Sequence, residues 1–141
     1  MNRLPFVLCL IAMITISCRE KKGGDDSAKY RQYYVKGEQL FMTKCSNCHQ
    51  QDGSGLGRIY PPLNISDYME NNRNEVLCIM RYGREGELTV NGISYNMAMP
   101  PMPELTDLEI AQIATYIYNT WSHDEGLIDV KEASVVLDKC N

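Results

Sequence analysis

The sequence predicts an all-α domain of four to five short helices, with one small β-hairpin near residues 86–95. Apolar residues recur at helical spacing in several separate stretches. The sequence Thr106–Glu109 matches a capping box, which starts a helix. The pair Asn91-Gly92 stands between two alternating segments, as in a hairpin turn. A chain of 141 residues is long enough for one compact domain with a hydrophobic core.

The N-terminal residues indicate export and lipidation. Arg3 precedes an apolar run, Leu4–Ile16, that is too short to cross a bilayer as a helix. A buried N-terminal helix is the alternative, but the pattern is typical of a signal peptide. Ser17-Cys18 resembles the lipobox of bacterial lipoproteins, although Thr15 stands where that pattern usually has Leu, so ordinary cleavage stays open. We expect a lipoprotein-type signal peptide at 1–17, acylation of Cys18 and a flexible tether at 18–29.

The first predicted helix covers residues 34–45, where Gly37, Leu40, Phe41 and Cys45 share one face. Glycine costs a helix about 1 kcal/mol relative to alanine, and it is useful where a second helix must cross closely. The following residues, 49–63, contain three glycines and two prolines and therefore predict a loop.

The middle of the chain predicts two further helices before the hairpin. Ser66 can cap a short helical turn at 66–71. The stretch 74–83 predicts a helix that ends at Gly83. Its buried face consists of Val76, Leu77 and Met80.

The C-terminal part predicts two helices. The helix after the capping box runs to about Trp121, and its apolar stripe is Ile110, Ile113, Ala114, Ile117 and Trp121. Residues 129–140 predict a short helix that brings Cys140 to the body of the domain. We therefore expect a main domain at 30–125 and a helical extension at 126–141 that packs on it.

The sequence Cys45-Ser-Asn-Cys48-His49 carries the chemistry. Two thiols at this spacing can add to the vinyl groups of haem, and the histidine that follows can bind the iron. A dithiol redox switch would need a βαβ setting, which this helical chain lacks. A zinc site would need a fourth ligand, and the only other histidine is His123. The motif therefore favours one covalently attached haem c.

The second iron ligand has four candidates: Met97, Met99, Met102 and His123; an empty position is a further alternative. Met99 precedes Pro100-Pro101, and a residue before proline adopts an extended backbone, which holds its side chain in a fixed place. We favour Met99, and we expect Met97 and Met102 to fill gaps in the core.

Two cysteines remain after the motif, the lipidation site and the signal peptide are accounted for. An exported protein can join Cys78 and Cys140 as a disulfide, although two separate buried thiols are the alternative. The formal charge of −4 argues against nucleic-acid binding. Arg58 is either a partner for a haem propionate or an exposed loop arginine.

The stretches Lys36–Leu63 and Gly92–Trp121 together resemble class I monohaem c-type cytochromes, in particular small bacterial ones with a β-hairpin before the methionine loop. The resemblance implies a cytochrome c fold around haem. It implies that Cys45 and Cys48 form the thioethers and that His49 and Met99 are the axial ligands. It also implies that the Pro61 carbonyl accepts a hydrogen bond from the His49 ring. Positions that match the crossing of the first and last family helices are Gly37, Phe41 and Tyr116.

The resemblance further implies a function in one-electron transfer, with no catalytic residues. The expected partners are redox proteins, namely a quinol-oxidising complex and a terminal oxidase or reductase of a respiratory chain. One alternative is the haem subunit of a larger dehydrogenase, and another is a haem enzyme or gas sensor with an open sixth position. We expect the cell envelope or periplasm as the location, with a membrane anchor through Cys18.

Overall fold

The structure, a computed structural model, describes residues 24–140, with the backbone alone for residues 24–26. The predicted signal peptide and Cys18 lie outside the described residues. The described part forms six helices and one two-stranded sheet: α1 (Gly24–Lys44), α2 (Ser46–His49), α3 (Asp67–Asn71), α4 (Arg73–Tyr82), β1 (Leu88–Val90), β2 (Ile93–Tyr95), α5 (Asp107–Ile117) and α6 (Val130–Leu137). The predicted all-α class with one small hairpin is confirmed.

Helices α1 and α5 form the main packing of the domain. They cross at Gly37, where a Cβ atom would lie only 1.9 Å from the carbonyl oxygen of Gln112. Beside the crossing, the rings of Phe41 and Tyr116 have their centroids 5.4 Å apart. The two helix backbones can therefore approach this closely only because residue 37 has no side chain.

Helix α1 begins ten residues before the predicted start at Tyr34, so it includes residues 24–29 of the predicted flexible tether. The prediction is wrong for these six residues. Lys29 forms an ion pair with Asp129, at the N-terminal end of α6, and also lies over the Tyr33 ring. These contacts with distant and neighbouring residues stabilise a stretch whose own composition is polar.

Helix α4 and the hairpin lie where the sequence predicts them. Val76, Leu77 and Met80 are buried, and Gly83 caps α4 with its N–H bonded to the Ile79 carbonyl. In the hairpin, Leu88 pairs with Tyr95 and Val90 with Ile93. Asn91 and Gly92 both have positive φ, as a tight two-residue turn requires. The hairpin buries Val90 and Tyr95.

Helix α5 starts at its predicted capping box but ends at Ile117, four residues before the predicted end at Trp121. The side chain of Asn119 bonds the carbonyls of Thr115 and Gly126 and accepts a hydrogen bond from the Gly126 N–H, which turns the chain. Trp121 has a positive φ of 56°. Its ring nevertheless packs beside Phe41, 5.6 Å between centroids, so it belongs to the core from outside the helix.

Helix α6 packs on α5 and α4. A disulfide joins Cys78 of α4 to Cys140, which is 62 positions further along the sequence, with their Cα atoms 5.6 Å apart. Among the described helices, none has the length and apolar character needed to span a membrane.

Candidate functional site

The chain leaves α1 directly into the Cys-x-x-Cys-His segment. The N–H of Cys45 bonds the Phe41 carbonyl, which continues the helical path, and α2 then carries Cys48 and His49. We call residues 45–63 the proximal wall. Its two thiols and one imidazole are thereby held by the end of a long helix that is itself packed in the core.

His49 is oriented by the loop that follows it. Its Nδ1 lies 3.1 Å from the carbonyl oxygen of Pro61. Because a carbonyl only accepts hydrogen bonds, Nδ1 carries the proton and Nε2 keeps a free lone pair. Burial lowers the pKa of His49, with the Pro61 hydrogen bond acting the other way, so the ring is neutral at neutral pH. A neutral imidazole with a free Nε2 is the form that binds a metal.

The glycine-rich loop makes room for this contact. At Gly55, φ is +69°, and a Cβ atom would lie 2.3 Å from the Tyr60 carbonyl oxygen and 2.7 Å from that of Pro61. The N–H of Gly55 also bonds the carbonyl of His49. Glycine at position 55 therefore lets the Pro61 carbonyl reach the imidazole ring.

Met99 lies on a different segment of the chain, residues 83–102, which we call the distal wall. The N–H and C=O of Met99 bond the C=O and N–H of Arg84, both at 2.9 Å. Gly83, with φ +73°, lies under this bridge, where a Cβ atom would be 2.6 Å from the Met99 carbonyl oxygen. Both bonds and the glycine together fix the backbone of Met99.

Between the two walls lie two adjoining cavities, which we call the cleft. They enclose about 600 and 550 Å³, their openings included, and His49 and Met99 line both of them. Cys45 lines the first and Cys48 the second. Most of the remaining lining of the first cavity is apolar, with Phe41, Leu63, Met69, Val76, Met80, Val90, Ile113 and Ile117.

These residues fit a covalently bound haem. The cleft has apolar walls and two thiols. It also has an imidazole on one wall and a thioether on the other, and both of these groups are ligands of haem iron in proteins. Two polar atoms of lining residues, the Tyr68 hydroxyl and Arg84 Nε, are buried and have no hydrogen-bond partner within residues 24–140. An apolar ring that carries acidic groups fits both the apolar lining and the two donors that have no partner.

The rival chemistries find less support in the site. Burial, followed by the neighbouring Cys48, raises the pKa of Cys45 to about 12, whereas a reactive dithiol has a lowered pKa. In the described part of the chain, no group of three or more His, Cys, Asp or Glu side chains is placed to hold a metal ion. The Nε2 of His123 lies 3.0 Å from the Leu63 carbonyl oxygen, and His123 is not among the lining of the cleft.

The structure agrees with the prediction for Met102 and disagrees with it for Met97. Met102 packs against the core, as expected. Met97 does not fill the core, because it is 55% exposed at the mouth of the second cavity. Arg58 is exposed on the loop. The sequence analysis missed Arg84, whose pairing with Met99 joins two segments that no local pattern connects.

Comparison with known proteins gives a consistent result. The family model described as Cytochrome c matches residues 34–121. Cytochrome c-552 of Thermus thermophilus is 33% identical over 82 residues, which cover 55% of this chain and 63% of that protein. A second cytochrome c-552, from a particular strain of the same species, is 33% identical over 82 residues, covering 55% of each chain. The chain thus spans less than two thirds of the length of these relatives.

Proposed function

The chain belongs to the cytochrome c family, whose members bind haem c covalently, and on this premise we propose that it carries single electrons in a respiratory chain. The observation that carries the proposal is the pair of walls. His49, whose ring is fixed by a hydrogen bond, and Met99, whose backbone is fixed by two, line the same cleft from different segments of the chain. If His49 and Met99 both bound the iron, no position would be open to a substrate, which favours an electron carrier over an enzyme or gas sensor.

In this proposal each residue has one role. Cys45 and Cys48 would hold the haem through thioether bonds, and His49 and Met99 would bind the iron. When bound, the haem supplies an iron centre that changes between the ferrous and ferric states. The Met99 thioether favours the ferrous state and so raises the reduction potential. The Pro61 carbonyl keeps the His49 ring in one orientation and increases its basicity.

The apolar lining of the cleft contributes to electron transfer because it keeps water away from the site. Phe41, Met69 and Ile113 are almost fully buried, at 0%, 2% and 1% exposure. Few water dipoles can then reorient when the charge of the site changes. A small reorganisation is what a protein needs for rapid electron transfer without chemistry on a substrate.

Optical spectra of the purified holoprotein test the ligand assignment. We expect the weak red absorption band of Met-ligated ferric haem and no ready binding of carbon monoxide. Met99→Ala should lose the band and bind carbon monoxide. Met97→Ala is the matched control, since Met97 is exposed two residues away, and it should behave like the wild type. Ready carbon monoxide binding by the wild type, or loss of the band only in Met97→Ala, would contradict the proposal.

For location and partners, we propose export and a lipid anchor at Cys18, with electrons passing from a quinol-oxidising complex to a terminal oxidase or reductase. The signal-like N-terminus supports this proposal, and the disulfide fits an oxidising compartment. Mass spectrometry of the mature protein should find an acylated Cys18, and Cys18→Ala should release the protein from the membrane fraction. An unmodified Cys18 would refute the anchor. Stable co-purification with a dehydrogenase would replace the free carrier with a dehydrogenase subunit.

A further inference from the structure

Two buried hydrogen-bond donors at the cleft have no partner in the described residues. They are the hydroxyl of Tyr68, which lines the first cavity, and the Nε of Arg84, which lines the second. A buried polar group without a hydrogen bond costs about 1–3 kcal/mol. Such groups call for an explanation, and a ligand that accepts hydrogen bonds is one.

The Arg84 guanidinium and the Tyr68 hydroxyl have different neighbours. The guanidinium of Arg84 is bound from the outer side, where Nη1 donates to Glu75 at 2.9 Å and Nη2 to the Glu87 carbonyl at 3.4 Å. Nε is the nitrogen of the group that is buried and has no partner in the described residues. Burial, followed by a hydrogen-bonding approach to Glu75 and by the charge of that carboxylate, raises the pKa of Tyr68 to about 12, so its hydroxyl keeps its proton. Glu75 is close to that hydroxyl but makes no hydrogen bond of normal geometry with it.

The chemistry of this pair indicates an anionic acceptor. A neutral O–H and one edge of a guanidinium suit a carboxylate, which accepts from both and gains from the positive charge. Haem carries two propionates, and the rest of the cleft is mostly apolar. We infer that Tyr68 and Arg84 bind one haem propionate, while Glu75 holds Arg84 in the orientation that presents Nε. This inference rests on the proposed haem site.

Arg84 also has a position that links this contact to the iron ligand. Its backbone makes both hydrogen bonds to Met99, while its side chain binds the propionate. The propionate and the methionine loop are therefore joined through a single residue. Arg84 acts as a positioning residue, because it reaches the iron only through Met99.

The test compares two cleft variants with two surface controls. Tyr68→Phe removes one donor without a change of charge, and Arg84→Gln removes the other. Arg31→Gln changes the same charge on the exposed surface of α1, and Arg58→Gln tests the loop arginine, which is also exposed. The readout is redox-difference infrared spectroscopy of holoprotein whose haem carries isotope-labelled propionate carboxyl carbons.

We expect the label-sensitive carboxylate band to shift in Tyr68→Phe and in Arg84→Gln and to stay in place in both controls. The reduction potential should fall in Arg84→Gln, because an uncompensated propionate stabilises ferric iron. Arg84→Lys keeps the charge and should restore most of the potential, but not the band position. Glu75→Gln removes the charge of the ion pair but keeps a side-chain oxygen that can accept from Arg84 Nη1, so the propionate should keep both donors.

A labelled band that is identical in the wild type, Tyr68→Phe and Arg84→Gln would overturn the inference. A band that moves in Arg58→Gln instead would place the propionate at the loop. Failure of the proposed function has a different signature, namely a wild-type protein without the haem c spectrum. Haem content and circular dichroism of each variant show whether it is folded, and Tyr68→Phe, the mildest change, decides the case if Arg84→Gln does not fold.

Discussion

The proximal wall holds His49 through contacts along a short piece of chain, whereas the distal wall holds Met99 through its pairing with the end of another element. The Pro61 carbonyl that orients His49 lies 12 residues away, within one glycine-rich loop. Met99 depends on Arg84, which directly follows the C-terminal cap of α4. The position of the proximal ligand is thus a local property, and that of the distal ligand follows α4. Variants that disturb α4 should release Met99 before they release the haem.

The largest effect is expected from the disulfide, which fixes α4 to the C-terminal end. In the chain-entropy treatment, a closed loop of 62 residues contributes about 4 kcal/mol to the free energy of unfolding. The double variant Cys78→Ser/Cys140→Ser should lose about this amount, measured by denaturant unfolding of the holoprotein. Its red absorption band should disappear at lower denaturant than its helical signal. Coincident loss of both signals would show that the distal wall does not depend on α4 in this way.

The next largest loss of stability is expected at the crossing of α1, the helix that leads into the proximal wall, and α5. Gly37→Ala would place a Cβ atom 1.9 Å from the Gln112 carbonyl oxygen, so the helices must separate. We expect a loss of about 3 kcal/mol in the free energy of unfolding. Lys36→Ala, on the exposed surface of the same helix, is the control and should change it by less than about 0.5 kcal/mol. Equal unfolding midpoints for the two variants would contradict the close crossing.

Within the proximal wall, Gly55→Ala tests the contact that orients His49. The new Cβ atom would lie 2.7 Å from the Pro61 carbonyl oxygen at a backbone φ of +69°. We expect a cost of about 2–3 kcal/mol and a higher reduction potential, since a ring that loses this hydrogen bond is a less basic ligand and stabilises ferric iron less. Redox titration measures the potential, and haem quantification of the same sample gives the haem content. An unchanged potential at full haem content would show that the loop adjusts without moving Pro61.

In the distal wall, Gly83→Ala and Gly86→Ala form a matched pair. Both glycines have positive φ, 73° and 84°, but only at Gly83 would a Cβ atom meet backbone, 2.6 Å from the Met99 carbonyl oxygen. Each should lose about 1 kcal/mol from backbone strain, and Gly83→Ala about 1 kcal/mol more. The red band should weaken in Gly83→Ala alone. The same spectrum in both variants would mean that the bridge to Met99 tolerates the added carbon.

The smallest effect concerns a charge where α4, α5 and α6 meet. Hydrogen bonds from Ser134 and then Arg81 hold the pKa of Asp107 below its usual value of 3.8. The folded state thus favours the ionised form, so this contribution is complete above the unfolded-state pKa and is lost as the pH falls through the folded-state pKa. Asp107 is partly exposed, so we expect less than about 1 kcal/mol. The difference in unfolding free energy between the wild type and Asp107→Asn should shrink from about pH 7 to about pH 3; a constant difference would rule out the charge as its cause.

Much of the fold follows from patterns that lie within single elements. The buried face of α4, the capping box of α5 and the Asn91-Gly92 turn each depend on residues within a few positions of one another. The close approach at Gly37 was also predictable, because a glycine inside a helix has a cost that packing can explain.

The predictions that were wrong depend on contacts between distant parts of the chain. Helix α1 extends into the predicted tether, where Lys29 meets Asp129. Helix α5 ends early because Asn119 bonds Gly126. Gly83 was predicted only as the end of a helix, yet it also makes room for the Met99 carbonyl. A sequence read locally shows the first role of such a residue and not the second.

The length of α1 also sets a distance. Its 21 residues, at 1.5 Å each, form a rod about 31 Å long, and Cys45 follows directly at its end. With the proposed anchor at Cys18, only residues 19–23 lie between the acylated residue and the start of this helix. A membrane-bound molecule would then carry the haem at the far end of this helix, within a limited range of distances from the bilayer, which we call the shell. Electron acceptors inside that shell would meet it at a high local concentration, and those outside it would be out of reach.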